Sequence, residues 1–328
     1  MPPLVIEQMT EFKRALLARE TQQMRAMAQR WVSVERSLAD KIDALTVELA
    51  AQRESGDLVK LWEVRRLERY QTLMAQTREE LTLYTDYAAP LISRNQIVYG
   101  QLGAEHANAA IRAVGVRTAF DVLPVEAIQA MAATTADGGL VMDLLRATWG
   151  PAADAMTDAM IEGVALGKNP RDVARMMREG LSLGLNRTLT IARTEQLRVY
   201  REANRDSYIA SDVVEGYRRL SAHDGRVCAG CLLDEGTFYR NDEVMPEHPN
   251  GRCTMVPVVA GFPPVEWKKG ADWFREQTPA MQQKILGKGR FAAWQDGQFD
   301  LDQLVVVKPN AIWGDSIGPT ALKELTNV

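Results

Sequence analysis

The sequence predicts an α+β protein that is mostly α-helical. Three observations predict this class: apolar residues recur at helical spacing along residues 8–54, alanine-rich helical segments continue over residues 91–167, and strand-like patterns begin only at residue 213. Four segments are expected: a long helical hairpin and docking region at 1–113, a helical domain at 114–212, an antiparallel β module at 213–260, and a helical C-terminal extension at 261–328.

An apolar repeat predicts one long helix over residues 8–54. One row of apolar residues falls at intervals of seven and a second row lies beside it: Leu17, Met24, Trp31, Leu38 and Leu45, with Met27, Val34, Ile42 and Leu49. Ser55-Gly56-Asp57 breaks this helix, and a second is expected over residues 58–89, with Pro90 ending or kinking it. The short connection favours an antiparallel hairpin. Its apolar stripe is either the core of a bundle or a surface that docks another protein.

Two more helices are expected at residues 170–179 and 186–211. Asn169 can cap the first, and Pro170 suits its first turn. On the second, four arginines fall in one narrow strip of the helical surface: Arg187, Arg198, Arg201 and Arg205. They are candidates for a face that binds DNA or an acidic partner. The alternative is an ordinary solvated face whose arginines pair with glutamates such as Glu195 and Glu202.

Composition restricts the classes of function. The chain has 328 residues and a formal net charge of −4, which gives no general attraction to nucleic acid or membranes. Residues 168–219 are the basic exception, with 11 basic and 7 acidic side chains. The first residues lack the basic region of a secretory signal, and no apolar run approaches the ~20 residues that span a bilayer. No membrane partner is expected.

All three cysteines fall within the β module. Strands are expected at residues 213–220, 236–239 and 254–259, and the loops between them carry Cys228, Cys231, His248 and Cys253. The spacing Cys-x2-Cys followed by His-x4-Cys is typical of a structural zinc site. A β unit this small buries little apolar surface, so Zn²⁺ would contribute much of its folding free energy. The alternative is that these are ordinary reduced cysteines.

Three motifs follow one another along residues 160–260. Arg193-Thr-Glu195 lies in the helix at 186–211, Asp224-Gly-Arg-Val-Cys228-x-x-Cys231 follows the first strand, and His248-Pro-Asn-Gly-Arg-Cys253 precedes the third. In this order they resemble the phage head morphogenesis family, the Mu F-like minor head proteins of tailed bacteriophages. The family pattern His-Pro-x-Cys-Arg-Cys has a cysteine where this chain has Gly251. Four candidate zinc ligands remain: Cys228, Cys231, His248 and Cys253.

The resemblance implies a structural virion protein rather than an enzyme. It implies a minor capsid protein of a tailed phage or prophage, located inside the capsid near the portal and in the host cytoplasm during assembly. The portal protein would be its main partner, with the major capsid or scaffolding protein and packaged DNA as further candidates. Its role would be to assist head morphogenesis and DNA packaging or delivery.

Two other functions would require different features of the sequence. A metal-dependent nuclease would use His223 or Asp224 beside the cysteine turn, but it needs an open metal position and a general base. A closed site of three cysteines and one histidine offers no open position. A zinc-containing nucleic-acid-binding protein would need basic residues near the zinc, whereas residues 220–328 carry 11 basic and 14 acidic side chains.

Overall fold

The computed structural model describes residues 3–54, 64, 66–117 and 123–326. The protein is mostly helical, with small antiparallel sheets, which confirms the predicted class at this level. In chain order the helices are α1 (Leu4–Glu54), α2 (Glu68–Val114), α3 (Val125–Met131), α4 (Val141–Arg146), α5 (Trp149–Ala165), α6 (Pro170–Ala210), α7 (Ala229–Leu233), α8 (Gly270–Arg275), α9 (Pro279–Leu286), α10 (Lys288–Gln295) and α11 (Leu322–Leu325). The strands are β1 (Val214–Leu220), β2 (Phe238–Arg240), β3 (Thr254–Val259), β4 (Val305–Lys308) and β5 (Ser316–Pro319).

The chain forms two compact units, each built from separate stretches of sequence. The first unit comprises Met1–Ala18, Arg94–Gly138 and Arg193–Val328, and the second comprises Arg19–Ser93 and Gly139–Ala192. The four segments expected from the sequence stay a prediction.

In the second unit, the apolar stripe of α1 forms the core. Every member of the stripe in this unit is buried: Met24, Met27, Trp31, Val34, Leu38, Ile42, Leu45 and Leu49. The ring of Trp31 lies edge-on to Tyr84 of α2, with 5.0 Å between ring centroids. The Tyr84 hydroxyl donates to the Met27 carbonyl at 3.1 Å, and Gln76 Nε2 donates to the Ser37 carbonyl at 3.0 Å. These pairings run in opposite directions along the two helices, which confirms the antiparallel hairpin.

Pro90 does not end the second helix, because α2 continues to Val114. A proline removes one helical hydrogen bond, here to the carbonyl of Asp86. Both residues are exposed, so water can bond to that carbonyl. The expected break at Ser55-Gly56-Asp57 and the expected helix start at residue 58 lie outside the described residues.

The two helices expected at 170–179 and 186–211 are one helix, α6. The apparent break contains Gly180 and Gly184, which sit against α5. A Cβ at Gly180 would lie 2.7 Å from the Ala155 carbonyl oxygen, and one at Gly184 would lie 2.9 Å from the Trp149 ring. These glycines therefore allow two helices to approach closely, and they do not interrupt the helix.

In the first unit, a three-stranded antiparallel sheet in the order β2-β1-β3 confirms the three expected strands. One buried cluster joins this sheet to α2 and α6: Ala107, Ile111, Tyr208, Tyr217 and Met255. A second cluster joins α7 to the C-terminal elements: Leu232, Phe274, Leu286 and Leu304. The hairpin of β4 and β5 lies against α7. The β module therefore packs against apolar residues that lie outside its own strands.

Candidate metal centre

The four predicted zinc ligands lie together in the first unit. The ligand atoms of Cys228, Cys231 and His248 are within 4.8 Å of one another, and so are those of Cys231, Cys253 and Glu247. A cavity of about 30 Å³ is lined by all three cysteines and His248, which is enough room for a single small ion or water molecule. The donor types and the size of the cavity are compatible with a zinc ion.

Local structure explains how the two halves of the site meet. Cys228 precedes α7 and Cys231 lies within it, so a single helical turn aims both sulfurs toward the segment before β3. Gly230 allows this turn to pack on β5, because a Cβ there would lie 2.6 Å from the backbone of Gly318. On the other half, the Gly251 N–H donates to the His248 carbonyl at 2.8 Å and closes a turn between His248 and Cys253.

A buried arginine, Arg219 of β1, connects both halves of the site. Its side chain is fully buried, and its Nε donates to Asp234 Oδ2 at 2.7 Å. Its Nη1 donates to Glu247 Oε1 at 2.5 Å and lies 3.7 Å from Cys231 Sγ, while Nη2 donates to the Pro246 carbonyl. Hydrogen bonds of this kind orient metal ligands from outside the first coordination shell.

The remaining motif residues bond to one another across the site. Arg193 of α6 donates to Asn250 Oδ1 at 2.7 Å, and the Asn250 N–H donates to Thr194 Oγ1 at 3.0 Å. Arg252 donates to both carboxylate oxygens of Asp224 at 3.3 and 3.4 Å. The helix motif, the cysteine turn and the histidine segment are thus held together by charged and polar pairs.

Hydrogen bonds within the cluster shift the pKa values of its thiols. Bonding to Cys231, together with His248, lowers the pKa of Cys228 to about 4. Cys231 interacts with Cys228 and Cys253 as the proton donor, and its pKa is raised. The bond to Cys231 lowers the pKa of Cys253. Burial lowers the pKa of His248, but its bond to Cys228 and the charge of that thiolate raise it to about 9. The Cys228 sulfur is therefore held as a thiolate, the form that binds metal, and the pKa of Cys253 is shifted in the same direction.

Arg219 and Glu247 were not identified as site residues from the sequence. Arg218 and Arg219 are adjacent in β1 and point to opposite faces, and no local pattern shows which of them is buried. Burial raises the pKa of Glu247, but the nearby charges of Arg201 and Arg219 lower it below its ordinary value. Glu247 is therefore a buried carboxylate ion beside the cysteines. Its position next to His248 was the only sequence feature that could have indicated Glu247 as a site residue.

Three of the four arginines proposed for a DNA or partner face lie in the first unit and are largely buried. Arg198 is bonded to Glu195 at 2.8 Å and to Glu202 at 2.5 Å. Arg201 is 7% exposed, and Arg205 has its closest carboxylate at 3.8 Å. These three line a cavity of about 360 Å³ beside the cysteine cluster. Arg187 lies in the second unit and is partly buried. Their role in binding DNA or a partner stays a prediction.

The residues of the nuclease alternative have other contacts. His223 Nε2 lies 2.6 Å from Glu235 Oε2, and the ring stacks on Trp273 with centroids 5.0 Å apart. Burial raises the pKa of Asp224, but the hydrogen bond from the Arg226 N–H and the bonds from Arg252 lower it below its ordinary value. Within residues 3–54, 64, 66–117 and 123–326, the groups of three potential metal ligands are those that contain cysteines.

In the first unit, hydrogen bonds and ion pairs thus connect a long helix, a cysteine turn and a histidine segment in one buried polar centre. Residues 154–256, from α5 to β3, match the family model described as Phage Mu protein F like protein. This match confirms the resemblance to the phage head morphogenesis family over that segment and supports a phage head-related protein. Comparison with curated proteins and with solved structures finds no match. Among the described helices, none has a stretch long and apolar enough to span a bilayer.

Proposed function

We propose that this chain is a minor head protein of a tailed phage or prophage that binds near the portal and assists head morphogenesis and DNA packaging or delivery. The observation that carries the proposal is that the family match covers the whole buried polar centre and the half of α6 that supports it. The protein would be located inside the capsid of the virion, and in the host cytoplasm during assembly. Its partners would be the portal protein and, with it, other head components such as the major capsid or scaffolding protein.

The contacts of three arginines in the buried polar centre support a structural role rather than catalysis. Arg193, Arg219 and Arg252 each bond to a side chain from another segment of the centre. These groups therefore hold loops in place. A scaffold of this kind presents fixed surfaces to partners, which is what a head component requires.

We propose that Cys228, Cys231, His248 and Cys253 hold a structural Zn²⁺. When bound, the ion would link α7 to the segment before β3 and add its binding free energy to folding. Purified protein should contain about one zinc per chain, and a chelator should lower its melting temperature. In Cys231→Ser the chelator should have no further effect, because the one residue that both groups of potential ligands share is lost. Wild-type protein without zinc, and with the same melting temperature before and after chelation, would contradict this proposal.

The head function is tested by association with the portal protein encoded by the same phage or prophage. Co-expressed with a tagged portal protein, the chain should co-purify in a complex, while the tagged major capsid protein serves as the comparison bait. Purified heads should contain the chain, and a nonsense mutation in its gene should reduce the yield of filled heads unless the wild-type gene is supplied. Heads that lack the chain yet form and package DNA normally would overturn the proposal.

A further inference from the structure

We propose that Glu247 is also a ligand of this metal centre and exchanges with His248 for the fourth position around the three sulfurs. The inference rests on the zinc site proposed above, to which it adds a carboxylate donor. Glu247 and His248 are consecutive in the chain but lie at opposite ends of the cysteine cluster. His248 is grouped with Cys228 and Cys231, whereas Glu247 is grouped with Cys231 and Cys253, all ligand atoms in each group being within 4.8 Å.

The two oxygens of Glu247 have different surroundings. Oε1 accepts a hydrogen bond from Arg219 Nη1 at 2.5 Å. Oε2 is buried and has no hydrogen-bond partner among the described residues, and it lies 3.9 Å from Arg201 Nη1. A buried carboxylate oxygen without a hydrogen bond is costly, and placing it against two cysteines brings like charges together when those sulfurs are thiolates. A divalent cation between the oxygen and the sulfurs removes both costs.

The space that Oε2 occupies exists because residue 251 is glycine. A Cβ on Gly251 would lie 1.7 Å from Glu247 Oε2 and 2.8 Å from Glu247 Cδ. With any other residue at this position the carboxylate would have to move from where it now lies. The Glu247 carboxylate therefore takes the place that a side chain at position 251 would have.

The charges around the cluster suit a carboxylate ligand. Zinc with three thiolates and one carboxylate is doubly negative, so it needs nearby positive charge to be stable when buried. Three buried cationic side chains lie close to the cluster: Arg219 at 0% exposure, Arg201 at 7% and Lys13 at 9%. Arg219 donates to Cys231 Sγ at 3.7 Å, and Lys13 interacts electrostatically with Cys253. The centre can therefore hold either a histidine or a carboxylate as its fourth ligand.

The test is a Co²⁺ titration of the full chain, followed by visible absorption, because the d–d bands of Co²⁺ report on its ligand set. Glu247→Gln keeps the shape of the side chain but removes a charged donor. It should weaken Co²⁺ binding by at least about tenfold, the lower end of what loss of a supporting group costs, and shift the d–d bands. Gly251→Ala should reproduce both effects. His248→Gln should still bind one Co²⁺, and the double variant of Glu247 and His248 should lose it.

Asp234→Asn is the matched control, because Asp234 is the other carboxylate held by Arg219 and belongs to neither ligand group. It should leave the d–d bands unchanged. The inference is overturned if Glu247→Gln keeps wild-type affinity and bands, or if Asp234→Asn shifts them equally. Wild-type protein that binds no Co²⁺ would overturn the zinc site together with this inference, whereas the head function is decided separately by the portal co-purification.

Discussion

The strongest test of the buried polar centre is removal of Arg219, with its neighbour Arg218 as the control. Arg219→Met keeps much of the length of the side chain but removes the guanidinium. It leaves Glu247 without its closest cation, and Asp234 without its bond at 2.7 Å. Breaking a buried ion pair by removing one partner costs about 3–5 kcal/mol, because the other charge stays buried and unpaired. For a unit of this size, each kcal/mol corresponds to about 2–4 °C in melting temperature.

Arg218→Met makes the same chemical change one residue earlier in β1. Arg218 pairs with Glu266 at 3.7 Å, and the Glu266 side chain is 74% exposed. An exposed pair of this kind contributes about 0–1 kcal/mol. Urea unfolding of both variants, followed by circular dichroism in the presence of a chelator, gives the comparison without a metal contribution. If the two variants lose the same free energy of unfolding, Arg219 does not hold the centre together and the reasoning is refuted.

The remaining predictions concern packing and pH. Gly230→Ala should destabilise the protein by at least about 1 kcal/mol, because its Cβ meets the backbone of β5, and Gly180→Ala should do the same at the contact of α6 with α5. A Cβ at Gly150 would have nothing within 4 Å apart from its chain neighbours, so Gly150→Ala should destabilise the protein less than Gly230→Ala does. Pro151 follows directly and disfavours helical geometry for a residue with a Cβ, so no gain in stability is expected. Burial lowers the pKa of His106 to about 4. The unfolded chain therefore binds more protons between about pH 4 and 6.5, so stability should rise over that range by up to roughly 3 kcal/mol.

Thermal unfolding checks the glycine variants. Equal melting temperatures for Gly230→Ala and Gly150→Ala would show that α7 does not need its close approach to β5. For the pH effect, urea midpoints of the wild type and His106→Gln should be compared from pH 4 to 7. His106 Nδ1 lies 3.0 Å from the Tyr200 hydroxyl and its ring stacks on Phe12 at 3.7 Å. A wild-type slope that persists unchanged in His106→Gln would show that another group titrates.

The apolar support around the β module changes the expectation for zinc. The sequence argument treated this module as too small to hold itself. In the structure, α7 packs on the C-terminal elements through Leu232 and Phe274, and Tyr217 packs on Tyr208 of α6. We therefore expect loss of the metal to loosen the centre and lower the melting temperature, while most of the first unit stays folded.

Several features of this protein followed from the sequence by itself. The stripe from Met24 to Leu49 predicted a buried helix face, because helical spacing and apolar character are both local properties. The same holds for the three strands of the sheet and for the four candidate zinc ligands, since ligand type and spacing are also local. The order of the three motifs was enough to identify the family resemblance that the match at residues 154–256 confirms.

Only the tertiary structure decided the rest, because these features depend on residues far apart in the chain. Gly180 and Gly184 suggest a helix break by propensity, yet contact with α5 keeps α6 continuous. Which of two adjacent arginines enters the centre depends on carboxylates 15 and 28 residues away. The Glu247 carboxylate reaches the cysteines because Gly251 leaves room for it and Arg219 holds it there. Such choices are made by packing and by the pairing of buried charges, which no local pattern encodes.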